Sequence, residues 1–202
     1  GNYVHLTDCV WTIFSKMFST HDAGETWDIL TEIQGINITS MYFQNEETGI
    51  ISGNEGIFYT ENGGIDWELK YFPNGYDAGE TEKMVFSTPE VGYASVRAFN
   101  IGATFDYFLV KTIDSGQSWD FCSAFSSRIM AIAGINESTV FTCTEADIFK
   151  TADGGTDWIN TTAEFEEPVN AKDISFPIPE RGYLAGSPFY IIPEDPDYYA
   201  LG

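Results

Sequence analysis

The sequence predicts an all-β fold, a β-propeller of about five four-stranded antiparallel blades, on three observations. An eight-residue pattern recurs four times, a tryptophan recurs in register with it, and short apolar runs separated by turn residues fill the intervals. Composition is compatible with this. The chain has 202 residues, 43% of them apolar, with 16 Phe, 11 Tyr and 5 Trp, enough for a packed core and far more buriable surface than a disordered chain carries. Asp and Glu number 31 against 9 Lys and Arg, a formal charge of −22. Phosphate recognition needs clustered cations, so this balance argues against nucleic acid or an anionic membrane surface as partner. No run of about eighteen apolar residues occurs, so no membrane insertion is expected.

The pattern first stands as Thr20-His21-Asp22-Ala23-Gly24-Glu25-Thr26-Trp27. It returns as Thr60-Glu61-Asn62-Gly63-Gly64-Ile65-Asp66-Trp67, then Thr112-Ile113-Asp114-Ser115-Gly116-Gln117-Ser118-Trp119, then Thr151-Ala152-Asp153-Gly154-Gly155-Thr156-Asp157-Trp158. The intervals are 40, 52 and 39 residues. An acidic turn followed by Gly and an apolar run precedes it, as in Glu47-Thr48-Gly49, Glu90-Val91-Gly92 and Glu180-Arg181-Gly182; the fourth repeat has Ser138-Thr139-Val140 there instead.

Each box reads as a tight hairpin turn. The Asp or Asn side chain is expected to accept hydrogen bonds from backbone N–H groups one to three residues ahead, and the Gly two positions later to take φ > 0. The Trp then enters the outgoing strand, where it can bury about 150–250 Å². In the second repeat the strands are expected at Ile38 to Phe43, Gly49 to Gly53, Gly56 to Thr60 and Ile65 to Lys70. A four-stranded sheet apolar on both faces is not stable alone, and radial stacking of copies covers those faces and leaves only short edges. Five units result, about 1–31, 32–74, 75–124, 125–164 and 165–202, read as one domain. The fifth has strand-like Asp173 to Pro177, Gly182 to Gly186 and Phe189 to Ile192. Its box position holds Pro193 to Tyr198 with neither Gly nor Trp, so that unit is degenerate or cut.

These boxes resemble the Asp-box, or bacterial neuraminidase repeat. Together with the preceding acidic-Gly-aromatic strand they are similar to the photosystem II stability and assembly factor family of β-propellers. The resemblance covers about four-fifths of the chain and departs at Asn62, Asp66 and Asp157. It implies a propeller and leaves function open, because such propellers include sialidases, other glycoside hydrolases, sorting receptors and assembly scaffolds. Asp22, Gly24, Trp27, Asn62, Gly64, Trp67, Asp114, Gly116, Trp119, Asp153, Gly155 and Trp158 are read as structural, since the turn needs them whatever the protein binds.

Alternation of strand direction puts the boxes on one face, and the turns between strands two and three, with the links between blades, on the other. That other face varies. From Gly92 to Asp114 is 22 residues, against 13 from Gly49 to Asn62, so the third unit carries an elongated hairpin over Arg97 to Tyr107. The long link Pro73 to Glu80 lies beside it. Together they are expected to form a wall with exposed Tyr76, Arg97, Phe99 and Phe105, joined by Asp106, Arg128, Glu55 and Glu145 as further binding candidates.

The same face holds the candidates for catalysis. A sialidase needs three converging arginines, a Tyr nucleophile and an acid; this chain has only Arg97, Arg128 and Arg181, the last in a turn on the box face. Glu55, Glu145 and Asp106 keep a two-carboxylate glycoside hydrolase as the alternative. Cys9, Cys122 and Cys143 form no C-x-x-C, allow at most one disulfide within the chain, and read as small buried hydrophobes. His5 and His21 fit no triad or metal spacing. Glu194, Asp195 and Asp197 could hold Ca²⁺, although a solvated acidic turn is the simpler reading, so no cofactor is expected. From Gly1 no secretion signal is evident, one being absent or already removed. Low Lys content and acidity suit an extracytoplasmic protein: periplasmic, cell-surface or secreted. The expectation is a non-catalytic recognition module or assembly scaffold that binds a protein or glycan.

Overall fold

A computed structural model describes residues 14–145, 147–162 and 169–188. Their strands form five antiparallel sheets, three of four strands and two of two. The first sheet pairs β1 (Phe14–Ser19) with β2 (Asp28–Gln34). The second runs in chain order through β3 (Ile38–Phe43), β4 (Gly49–Gly53), β5 (Gly56–Thr60) and β6 (Glu68–Tyr71). The third does likewise through β7 (Ala78–Phe86), β8 (Gly92–Phe99), β9 (Asp106–Thr112) and β10 (Asp120–Phe125). The fourth comprises β11 (Ile129–Gly134), β12 (Val140–Thr144), β13 (Ile148–Thr151) and β14 (Ile159–Asn160), and the fifth pairs β15 (Val169–Ile178) with β16 (Arg181–Pro188). The chain divides into two compact units, Gly1–Ser126 and Ser127–Gly202.

The four boxes fold alike, and their threonines matter as much as their aspartates. In the third, the Thr112 hydroxyl donates to Asp114 Oδ1 (2.8 Å) and accepts the Gly116 N–H (2.9 Å), while Asp114 accepts the Ser118 N–H (2.9 Å) and hydroxyl (2.6 Å). The carboxylate therefore closes a loop onto the residue four ahead, one further than expected. Ser115 and Gly116 both sit at positive φ, 63° and 88°, and the other boxes repeat this pair of left-handed residues. Two consecutive left-handed residues match the twist of a hairpin, and the second, nearer 90°, falls where glycine has no steric cost. Because Ile65 to Trp67 belong to the turn, β6 begins at Glu68 rather than Ile65.

The second, third and fourth box turns also rest on the turn between the first two strands of their own sheet. The Gly63 N–H donates to the Glu47 carbonyl (2.8 Å), Ser115 to Glu90 (3.0 Å) and Gly154 to Ser138 (2.9 Å). The fourth sheet, which lacks the Glu-x-Gly signal, still makes the same turn, because Asn136 Oδ1 accepts the N–H groups of Ser138 and Thr139 as Asn45 Oδ1 accepts those of Glu47 and Thr48. The strands leaving these turns show a size pairing. Phe43 lies opposite Gly49 and Phe86 opposite Gly92, where an added Cβ would come within 2.8 Å of the Phe86 ring; in the fourth sheet the pair is reversed, Gly134 opposite Val140.

These rings lead into the cores. Phe43 meets the Trp67 indole edge-on at 6.1 Å and Phe86 meets Trp119 in the same way at 6.0 Å. In the first unit Ile50, Ile57 and Tyr59 pack against Ala94, Val96, Phe108, Val110 and Trp119. In the second, Ala131, Ala133, Cys143 and Ile148 pack against Ala171 and Ile174, with Phe141 stacked on Phe176 at 4.7 Å. Burial, followed by the nearby Asp173, pushes the Cys143 thiol up to about 12, which leaves it an inert space-filler. Cys122 is half-buried, and Cys9 lies outside the described residues, as do His5, Phe189 to Ile192, Pro193 to Tyr198, and the Glu194, Asp195, Asp197 group.

The four box tryptophans differ in burial, where each was expected to bury its ring in the outgoing strand. Trp119 is 6% exposed, Trp67 and Trp158 are half-buried, and Trp27 is 61% exposed. Trp67, Trp119 and Trp158 each donate their indole N–H to the box glycine carbonyl, at 3.0–3.1 Å. Among the described residues no aromatic ring pairs with Trp27, whereas Trp67 and Trp119 each have a phenylalanine edge against them.

Candidate functional site

The third sheet is extended at the end opposite its box. Strand β7 has 9 residues where β3 has 6, and its first residues continue the ladder through Ala78 opposite Phe99, Gly79 opposite Ala98 and Glu80 opposite Arg97. The hairpin above is tied to the link between blades by both chains. The Asp77 N–H donates to the Phe99 carbonyl (3.2 Å) and Asn100 Oδ1 (3.0 Å), Asp77 Oδ2 accepts the Ile101 N–H (2.7 Å), and Ala103 closes back on Asn100 (2.9 Å). These bonds pin the loop to the link, unlike a slack insertion.

Strand alternation divides the expected wall into two sides. Arg97, opposite Tyr107 and Glu80, lies on one; Ala98 and Asp106, opposite each other, lie on the other. On the first side Arg97 bonds Glu80 (2.8 Å), approaches Glu82 (3.6 Å) and stands over the Phe105 ring at 5.0 Å, with Phe99 edge-on to Phe105 at 5.1 Å. Arg97 is thus half-buried and ion-paired, where an exposed cation was expected, because Glu80 and Glu82 two residues apart on β7 present both carboxylates to it. Phe99 is half-buried as well; Phe105, at 43% exposure, is open.

On the second side the Tyr76 hydroxyl donates to Asp106 Oδ2 (2.9 Å) and its ring stacks on Phe108 at 6.0 Å. Tyr76 is half-buried, not exposed, since it roofs a cleft of about 330 Å³. The cleft is lined by Tyr71 at the end of β6 with Phe72, Pro73 and Asn74 after it, by Phe108 of β9, and by Trp119 with Asp120 and Phe121 of β10. Burial, with Tyr76 adding to it, pushes the Tyr71 phenol up to about 12; burial followed by the Asp106 contact raises that of Tyr76. Both therefore stay protonated donors at neutral pH.

The remaining candidates stand apart. Glu55 is exposed in the β4–β5 turn, accepting from Asn54 Nδ2 (3.3 Å). Glu145 is exposed after β12, its N–H on the Arg128 carbonyl (3.2 Å), and both belong to the second unit. Among the described residues no group of three or more His, Cys, Asp or Glu is placed to hold a metal ion, and no helix is long and apolar enough to cross a membrane. Glu80, Glu82, Asp77 and Asn100 went unrecognised in the sequence. The available signal was Glu-x-Glu preceding an arginine by one hairpin, which a register argument could have paired.

Solved structures resemble this arrangement. One, of YCF48 bound to D1 peptide, superimposes with a TM-score of 0.52 at 19% identity, over 66% of this chain and 42% of that one. Another, of a GH74 enzyme from Niastella koreensis, gives 0.62 at 13% identity, over 82% of this chain and 31% of that one. The chain is built on the β-propeller plan. It spans less than half the length of either neighbour, and likeness at this identity concerns the fold alone. No protein-family model matches the sequence, and no curated protein does.

Proposed function

We propose that the chain is a non-catalytic recognition or assembly-scaffold propeller, working outside the cytoplasm, whose binding face is the blade end opposite the four box turns. On this reading the boxes are Asp-box turns with a purely structural role. The observation that carries it is the third-blade hairpin: longer than its counterpart in the second blade, it is anchored to the neighbouring link through Asp77 and Asn100, and it projects Ile101, 86% exposed, and Phe105. Exposed apolar side chains held on a rigid support are the make-up of a partner-binding surface. Protein is favoured over glycan as partner by the neighbour seen with a bound peptide.

A glycoside hydrolase would need two carboxylates about 5–9.5 Å apart across a sugar-sized mouth. Within the first unit Glu55 stands in the β4–β5 turn of the second sheet and Asp106 at the start of β9 in the third, engaged by Tyr76. A panel of fluorogenic glycosides tests the reading. No turnover is expected; turnover abolished by Glu55→Gln or Glu145→Gln would overturn it.

A further inference from the structure

We infer that the cleft beside the third blade is a second docking site, shaped for a basic, proline-rich stretch of polypeptide. It rests on the reading of the chain as a protein-recognition module but uses a different surface from the hairpin tip. The walls are rings: Tyr71 and Tyr76 on the link side, Phe108, Trp119 and Phe121 on the strand side, with Phe108 and Phe121 5.8 Å apart and Phe121 65% exposed. A volume of about 330 Å³ is small-ligand scale, yet the cleft is open to solvent, so it fits part of an extended chain. Proline-rich segments are already extended and lose little entropy on binding, and their rings pack on such aromatic walls.

Charge selects the rest of the ligand. No Lys, Arg or His lines the cleft. Asp106 stands at its mouth on the same side of β9 as Phe108, with Oδ2 held by Tyr76 and no hydrogen-bond partner at Oδ1 among the described residues. Asp120 adds less, because its place between Trp119 and Phe121 turns its carboxylate to the opposite side of the strand, where its cross-strand neighbour is Lys111. The field of a chain at −22 adds to the attraction for cations and the repulsion of anions. An arginine or lysine entering beside proline would reach the Asp106 carboxylate while its stem and charge lie over the rings. Trp119, whose indole N–H is committed to Gly116, leaves the two phenols and Asn74 as the polar side chains of the walls, sparse for the paired hydroxyls of a sugar.

The test uses two synthetic dodecapeptides, four repeats of Arg-Pro-Pro and four of Glu-Pro-Pro, with cellohexaose as a third probe, titrated by calorimetry and amide NMR shifts. The arginine peptide is expected to bind saturably and to shift the amides of residues 71–76 and 119–121. Asp106→Asn and Phe121→Ala, both at exposed positions, should each weaken it at least about fivefold without changing the melting temperature. Absence of binding, equal binding of the glutamate peptide, indifference to both substitutions, or binding of cellohexaose in its place would overturn the inference. Loss of the arginine peptide's binding would leave the hairpin reading standing, since shortening the hairpin tests that separately.

Discussion

Asn62 donates its side-chain amide to Asp66 Oδ2 at 2.9 Å, in the place where the Thr26 hydroxyl donates to Asp22 Oδ2 at 2.6 Å. Donor and acceptor have exchanged ends of the same turn. Two departures from the repeat, Asn for Asp and Asp for Thr, are therefore one compensated change. Asn62→Asp alone would set two carboxylates against each other and should cost about 0.5–1.5 kcal/mol in urea unfolding. Adding Asp66→Thr should restore stability to within about 0.5 kcal/mol, and additive losses would show that the pair does not act as a unit.

The fourth box has no such compensation. Asp153 Oδ1 accepts the N–H groups of Thr156 and Asp157, both at 3.0 Å, and Asp157 stands where the first and third boxes place a donor hydroxyl, Thr26 and Ser118. Asp157→Thr supplies the hydroxyl and removes a like charge. It should raise stability by about 0.5–1.5 kcal/mol, read as a higher urea midpoint at unchanged slope.

Acid sensitivity follows from the same bonds. Asp22 lies well below the usual carboxylate range, chiefly through the Thr26 hydroxyl; Asp153 is lowered first by the Asp157 N–H. For Asp114 partial burial acts upward but is outweighed by the Ser118 hydroxyl and N–H and by Thr112. A carboxyl lowered in the folded state contributes stability above its unfolded value, near 3.8, and loses it as the pH falls through its folded value. Asp114→Ala should therefore trail the wild type by about 1–2 kcal/mol at pH 7, and by progressively less from about pH 4 downward. A gap independent of pH would mean that the charge of Asp114 is not what closes the turn.

Much of the fold was legible because the turn chemistry is local. Thr, Asp, Gly and Trp lie within eight residues, and their bonds need no distant partner. What was not legible depended on cross-strand register: the Phe43 and Gly49 pairing, the capture of Arg97 by Glu80 and Glu82, and the separation of Asp106 from Arg97 onto opposite sides of one hairpin. The Phe-x₅-Gly spacing recurs at Phe43, Phe86 and Phe176, a signal missed because it joins the end of one strand to the start of the next.

Register also limits the hairpin test. Ala98 is fully buried in the core, so removing Arg97 to Phe105 would damage the blade. Replacing only Asn100 to Thr104 by Asn-Gly keeps the ladder. The melting temperature should shift by no more than about 2–4 °C while partner capture is lost; retained capture would place the binding surface elsewhere.

The central claim is that one corner, folded four times, builds the blades, and that its contribution rises with the burial of its tryptophan. Urea unfolding of Trp119→Ala beside Trp27→Ala tests this most directly. The account predicts a loss of about 3–5 kcal/mol for the first, 6% exposed, and under about 1 kcal/mol for the second, 61% exposed. Equal losses, or a larger one at Trp27, would contradict it.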